Sequence, residues 1–201
     1  MLRRLWLGLP LAFAAFPHVD VALVPPIKGL TLQDLRDTFS EPRSGGRHDA
    51  IDIVASRGTP VRAVTGGTIR KLFLSKPGGM TIYLFDQSSQ YCYYYAHLDG
   101  YRRGLREGEA VTPGEIIGYV GSTGNANPLV PHLHLAMVEL GPGKEWWKGM
   151  PLNPYPYLVR AVERSTATTS PPGQVAAAAI NLRQTNAAEP AARSSPLPAS
   201  P

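Results

Sequence analysis

Residues 131–139 read PHLHLAMVE, and residues 91–98 read YCYYYAHL. Both runs are short, apolar or aromatic, and bounded by polar or turn-forming residues, which is the composition of a β-strand. Successive side chains on a strand point to opposite faces. His132 and His134 therefore share one face, and Leu133, Leu135 and Met137 point the other way into a core. The same alternation groups Tyr91, Tyr93, Tyr95 and His97, with Cys92, Tyr94, Ala96 and Leu98 opposite. If the two strands are neighbours, three histidines converge over one cleft.

Working outward, the same grammar continues. Thr68–Leu74 and Met80–Asp86 read as strands joined by a hairpin at Gly78-Gly79, and Val111–Gly118 carries a Pro-Gly turn. Glycine and proline each number 20 in 201 residues. This profile predicts an all-β fold: a small antiparallel β-sandwich or barrel-like domain over residues 44–160. Residues 15–43 read as a lead-in, broken at Pro25-Pro26, with a short helix or an extended arm over Leu30–Thr38. From Ser165 to Pro201 the chain is rich in Ala, Pro, Ser and Thr, and it reads as a disordered tail.

Residues 1–14 read as a secretory signal. Arg3 and Arg4 precede an apolar run from Leu5 to Phe16, and Ala12-Phe13-Ala14 supplies a small-x-small cleavage site. An uncleaved segment would anchor the chain to a membrane. Either way the protein is expected to be exported, to the periplasm, the cell envelope or beyond. The net charge of +5 suits an anionic partner such as a wall polymer. No Lys/Arg run interleaved with aromatics occurs, so nucleic acid is not an expected partner. The single cysteine, Cys92, rules out an internal disulfide and reads as a buried structural thiol.

The chemistry lies in the histidines. The chain has five, and four of them fall after residue 40 in HDAID (48–52), YAHL (95–98) and HLH (132–134). Zinc takes imidazole nitrogen and carboxylate oxygen, and a catalytic site uses three protein ligands and keeps a fourth position for water. His48, Asp52 and one histidine of the HLH pair fill that quota. His97 and the other HLH histidine remain for proton transfer, because no HExxH glutamate is present.

At these residues the chain resembles the lysostaphin-type (LytM-like) zinc metalloendopeptidases. The likeness extends through GTPVRAVTGGTI, YYYAHLDGY, EGEAVTPGEIIGYVGSTGNA and PHLHL, over roughly residues 44–158. It implies His48, Asp52 and His134 as ligands of one zinc ion per domain. It implies His97 and His132 as the residues that handle the water and the developing oxyanion. It implies peptidoglycan peptides as substrate, with either a Gly–Gly or a D-Ala–diamino acid bond cut; the chain itself is expected to be a monomer. Two positions depart from the usual pattern: Ala50 replaces a common glycine, and Leu135 a common aromatic. Ala50 is expected to be tolerated unless it needs positive φ, and Leu135 to be a packing change.

Other residues admit two readings. Trp146 and Trp147 either line the groove or close the core. Tyr95 either donates to an oxyanion or packs, and Gly121–Asn125 either holds a peptide carbonyl or merely turns. Two further functions fit parts of the pattern: a non-enzymatic wall-binding or amidase-activating regulator, and a lipoyl-like barrel suggested by GTPVRAV and VTPGEIIG.

Overall fold

The computed structural model describes residues 21–43 and 45–169. The signal or anchor read in residues 1–14 and the tail beyond residue 169 lie outside the described residues. In chain order the strands are β1 (Pro42–Arg43), β2 (Gly46–Arg47), β3 (Ile51–Val54), β4 (Pro60–Arg62), β5 (Gly67–Ser75) and β6 (Gly79–Asp86). They continue as β7 (Tyr91–Tyr101), β8 (Ala110–Val111), β9 (Ile116–Val120), β10 (His132–Leu140) and β11 (Gly149–Leu152), and helix α1 (Tyr155–Thr169) follows.

The expectation of a mainly β fold holds. Among the described residues β1 and β2 form a small hairpin, and the other strands form one nine-stranded sheet ordered β11-β10-β7-β6-β5-β8. β3 adds to β10, and β9 to β7 and β4. Every pairing is antiparallel, and the path does not close into a barrel. The two strands quoted at the outset are neighbours, with His134 opposite Ala96 and Leu135 opposite Tyr95. On its other edge β10 meets β3, which sets His134 opposite Asp52. Register alone thus brings one carboxylate and one imidazole of the candidate site together.

One face of the sheet is packed. Ile51, Ile53, Ile82, Leu84, Leu133 and Leu135 are fully buried there, each worth about 1.5–3 kcal/mol of transfer free energy. The lead-in does not stay outside this core. Leu23, Ile27, Leu30, Leu35 and Phe39 are buried in the same cluster, and the amides of Val24 and Arg62 hydrogen-bond across to Val64 and Pro26 carbonyls at 2.8 Å. Residues of the 21–43 segment therefore pack into the same core as the strands. Irregular apolar spacing around Pro25-Pro26 shows neither a strand nor a helix period, which hid the packing. Leu30–Thr38 is an arm with one 3-10 turn at Leu32–Asp34.

At the C-terminal end of the described residues α1 runs to Thr169, past residue 160 and past Ser165. Asn153 Oδ1 accepts the Tyr155 amide at 2.9 Å and so satisfies a free N–H at the helix start, and Pro156 falls in the first turn, where its missing N–H costs nothing. Leu158, Ala161 and Val162, at i, i+3 and i+4, bury one stripe against the core. Asn153 Nδ2 also donates to Asp37, which ties the helix start to the arm. No helix among the described residues is long and apolar enough to cross a membrane.

Candidate active site

The opposite face of the sheet carries a cleft of about 850 Å³ that brings together all five candidate residues, His48, Asp52, His97, His132 and His134. β3 delivers Asp52, and β10 delivers His132 and His134 at alternate positions. His48 comes from the turn before β3. The arm fixes both of the first two. Thr38 carbonyl accepts the His48 Nδ1–H at 3.0 Å, and Thr38 hydroxyl accepts the Asp52 amide at 3.1 Å.

His97 reaches the cleft by a route that strand alternation does not give. Alternation places it beside Tyr95, which the structure buries completely on the core face. β7 instead holds one extra residue between its pairings Tyr95↔Ile82 and Leu98↔Met80. At this bulge His97 takes φ +60, the left-handed region that a non-glycine residue rarely adopts. The bulge turns its side chain to the face of Tyr94, Ala96 and His134. Its Nδ1–H donates to the Thr123 carbonyl at 2.8 Å, and its amide donates to the Gly78 carbonyl at 2.8 Å. The hairpin tip is pressed against this loop: a β-carbon at Gly79 would lie 2.1 Å from Thr123 Oγ1. The Gly121–Asn125 loop is therefore more than a turn, because it clamps His97.

The ligand geometry is explicit. His48 Nε2, His134 Nδ1 and Asp52 Oδ1 form a triangle whose three sides are each 3.1 Å. Tetrahedral zinc with bonds of about 2.0–2.2 Å sets its ligand atoms roughly 3.3–3.5 Å apart, so the triangle is close to the required size. The donor set fits too. A carbonyl only accepts, so His48 Nδ1 carries the hydrogen in the bond to Thr38, and in the neutral ring this tautomer leaves Nε2 with a lone pair. That lone pair and a carboxylate oxygen face each other, an arrangement a cation satisfies. Asp52 Oδ2 accepts a hydrogen bond from Arg43 Nη2 at 2.9 Å, which fixes the carboxylate from the β1–β2 hairpin.

His132 stands just outside the triangle, with Nε2 3.8 Å from Asp52 Oδ1 and its Nδ1–H donated to the Val130 carbonyl. The rings of His97 and His132 are 5.0 Å apart, edge to face. Burial pushes the His97 imidazole down to about 4, against the opposing pull of its bond to Thr123. Burial likewise lowers His134. For Asp52 burial disfavours the charge, but hydrogen bonds and charge from His134 and His48 outweigh it and hold the carboxyl well below its usual range. The site thus keeps an ionised Asp52 carboxylate beside neutral His97 and His134 imidazoles at neutral pH.

The residues with two readings now separate. Tyr95 hydroxyl accepts the Val64 amide inside the core, so it packs and does not face the cleft. Tyr94 takes that place, its ring 5.8 Å from His134. Trp146 packs on the small cluster of Phe85, Cys92 and Leu140, and neither tryptophan lines the cleft. The Cys92 thiol is buried and pushed up to about 12 by desolvation and by Asp86, which makes it inert. Ala50 is fully buried with ordinary φ, and the positive φ of HDAID falls on Asp49 instead. Leu135 is core. Sequence reasoning missed Thr38, Arg43 and Thr123. Only Thr123 left a signal, the glycine-flanked turn that follows β9.

Comparison with known proteins gives the family of the segment that carries these residues. The model of peptidase family M23 matches residues 46–154. An L-Ala–D-Glu endopeptidase of Bacillus subtilis is 36% identical over 163 residues, which are 76% of this chain and 48% of that protein. The glycyl-glycine endopeptidase ALE-1 of Staphylococcus capitis is 31% identical over 128 residues, 63% of this chain and 33% of that protein. The solved structure of lysostaphin from Staphylococcus simulans superposes with a TM-score of 0.53 at 26% identity, covering 71% of this chain and 53% of that one. The chain thus spans about half or less of the length of these two curated relatives. The matched segment contains every one of the five cleft residues, and on that ground the chain belongs to peptidase family M23.

Proposed function

We propose that this chain is an exported zinc metalloendopeptidase that hydrolyses peptide bonds in the stems or cross-links of peptidoglycan. The observation that carries the reading is the 3.1 Å triangle of His48, Asp52 and His134 with His97 and His132 on the same cleft. The triangle would hold the metal. When bound there, zinc lowers the pKa of a water and polarises a substrate carbonyl. His97, neutral at neutral pH and with Nδ1–H committed to Thr123, presents Nε2 as acceptor for the proton of the attacking water. His132, when it carries both protons, donates from Nε2 to the developing oxyanion. The new C–O bond forms first and leaves the carbonyl oxygen as the oxyanion; as that oxygen re-forms the carbonyl the C–N bond breaks, and the proton taken by His97 passes to the leaving amine.

Export is supported by the charged and apolar pattern of residues 1–14, and a peptidoglycan substrate by the activities named for the relatives. Those names also widen the choice of bond. The Bacillus relative is named for L-Ala–D-Glu, a stem bond beyond the two that the sequence resemblance implied. The test is digestion of purified sacculi by the zinc-loaded chain, with muropeptides followed by mass spectrometry. New peptide termini are expected, and a chelator is expected to abolish them. Unchanged muropeptides from the zinc-loaded chain would overturn the reading.

A further inference from the structure

A line of aromatic rings leads away from the cleft along the same sheet face. Tyr83 pairs directly with Tyr94, and Tyr94 with Ala136, so these side chains share the face that carries Ala96 and His134. Ring centroids then step from His134 to Tyr94 (5.8 Å), Tyr94 to Tyr83 (4.7 Å), and Tyr83 to Trp146 (4.7 Å). Trp146 touches Phe73 at 5.4 Å and Trp147 at 5.3 Å. Trp146 has a packing role over Phe85, Cys92 and Leu140. Trp147 has no such role and is 65% exposed, and Phe73 is 39% exposed.

We infer that Trp147 and Phe73, held by Trp146, form a platform for the sugar rings of the glycan strand whose stem peptide enters the cleft. Three observations point to a sugar. Trp147 stands edge to face on Trp146 and Phe73 lies tilted against it, so the braced rings lose little side-chain freedom when a flat ligand stacks on them. A pyranose has just such a flat C–H face, with hydroxyls at its rim for polar partners, and Lys144, Glu145 and Lys148 are exposed on the same loop. The platform is also continuous with the cleft. A stem peptide extends about 3.3–3.6 Å per residue, so a short peptide whose scissile bond lies at His134 brings its sugar within reach of rings a few such steps away. The inference rests on the proposed peptidoglycan reading and adds the part of the polymer that the cleft does not hold.

The test separates the two. Binding of a soluble chitin oligosaccharide to the full chain is measured by NMR titration, which needs no catalysis. Weak, saturable binding is expected, with shifts at the tryptophan indoles, and Trp147→Ala is expected to weaken it about tenfold. Trp147→Phe, which keeps a ring, is expected to restore most of it. Cleavage is then compared on sacculi and on a sugar-free stem peptide. The ratio of the two rates is expected to fall about tenfold in Trp147→Ala. Absence of oligosaccharide binding to the wild type would overturn the platform even if sacculi are cleaved. An unchanged ratio would also overturn it, because the rings would then serve the peptide or the fold alone. Loss of cleavage on both substrates by the wild type, with oligosaccharide binding intact, would instead count against the peptidase reading.

Discussion

Single residues decide the chemistry here, and Arg43 is one that acts through another. Its guanidinium contacts Asp52 Oδ2 at 2.9 Å while remaining about half exposed. Partners that orient a metal-binding carboxylate typically contribute about 10–100-fold to affinity. Arg43→Gln is therefore expected to weaken zinc binding about tenfold, at the low end because solvent screens the pair. Competition against a chromophoric chelator reads this directly, and unchanged affinity would show that Arg43 plays no orienting part. Arg43 leaves no signal in the sequence. His132 and His134 are legible there because strand alternation is local and β10 is regular. His97 stands out as a candidate, but its face is not legible. Alternation sets it beside Tyr95, in the core, and only the bulge with φ +60 turns it to the cleft. A bulge depends on the partner strand, which the local pattern does not contain.

Elements were legible where their period was clean and hidden where tertiary contact replaced it. The β5–β6 hairpin, β7 and β10 all stand within a few residues of their sequence expectation. The arm before residue 44 and helix α1 were missed as parts of the core. The first has no period, and the second buries only a narrow stripe in a segment otherwise rich in Ser, Thr and Ala. Both carry weight in the structure. Leu158 is fully buried, so Leu158→Ala is expected to cost about 2–5 kcal/mol in urea unfolding, and a cost near zero would mean the helix is peripheral. The hairpin tip is the second point of leverage. Gly79 has φ +62, and a β-carbon there would lie 2.1 Å from Thr123 Oγ1. Gly79→Ala is expected to destabilise by about 1–3 kcal/mol. Because the displaced loop is the one that clamps His97, activity should fall further than zinc content. Equal retention of both would separate the tip from the site.

At the scale of the molecule, the protein packs one sheet face with the arm and α1 and leaves the other for chemistry. That division makes stability depend on pH in a defined sense. Burial lowers His97 from 6.5 to about 4, so between these values the unfolded chain binds the proton more readily than the folded one. Stability of the metal-free protein from this source is present above 6.5 and is lost as pH falls to about 4. His134, lowered for the same reason, acts in the same direction. Asp52 is held below 3.8, so its contribution is present above that value and is lost only at lower pH. The melting temperature of chelator-treated wild type is expected to fall more steeply between pH 6.5 and 4 than that of His97→Gln, and parallel slopes would contradict the assignment. The proposed site divides residues that would hold a metal from residues that would move protons beside it. Zinc per protein, by elemental analysis across alanine variants of the five cleft residues, reads that division. One zinc is expected in the wild type, in His97→Ala and in His132→Ala, and none in His48→Ala, Asp52→Ala or His134→Ala. Retention of full zinc by any of the last three, or its loss with His97, would contradict it.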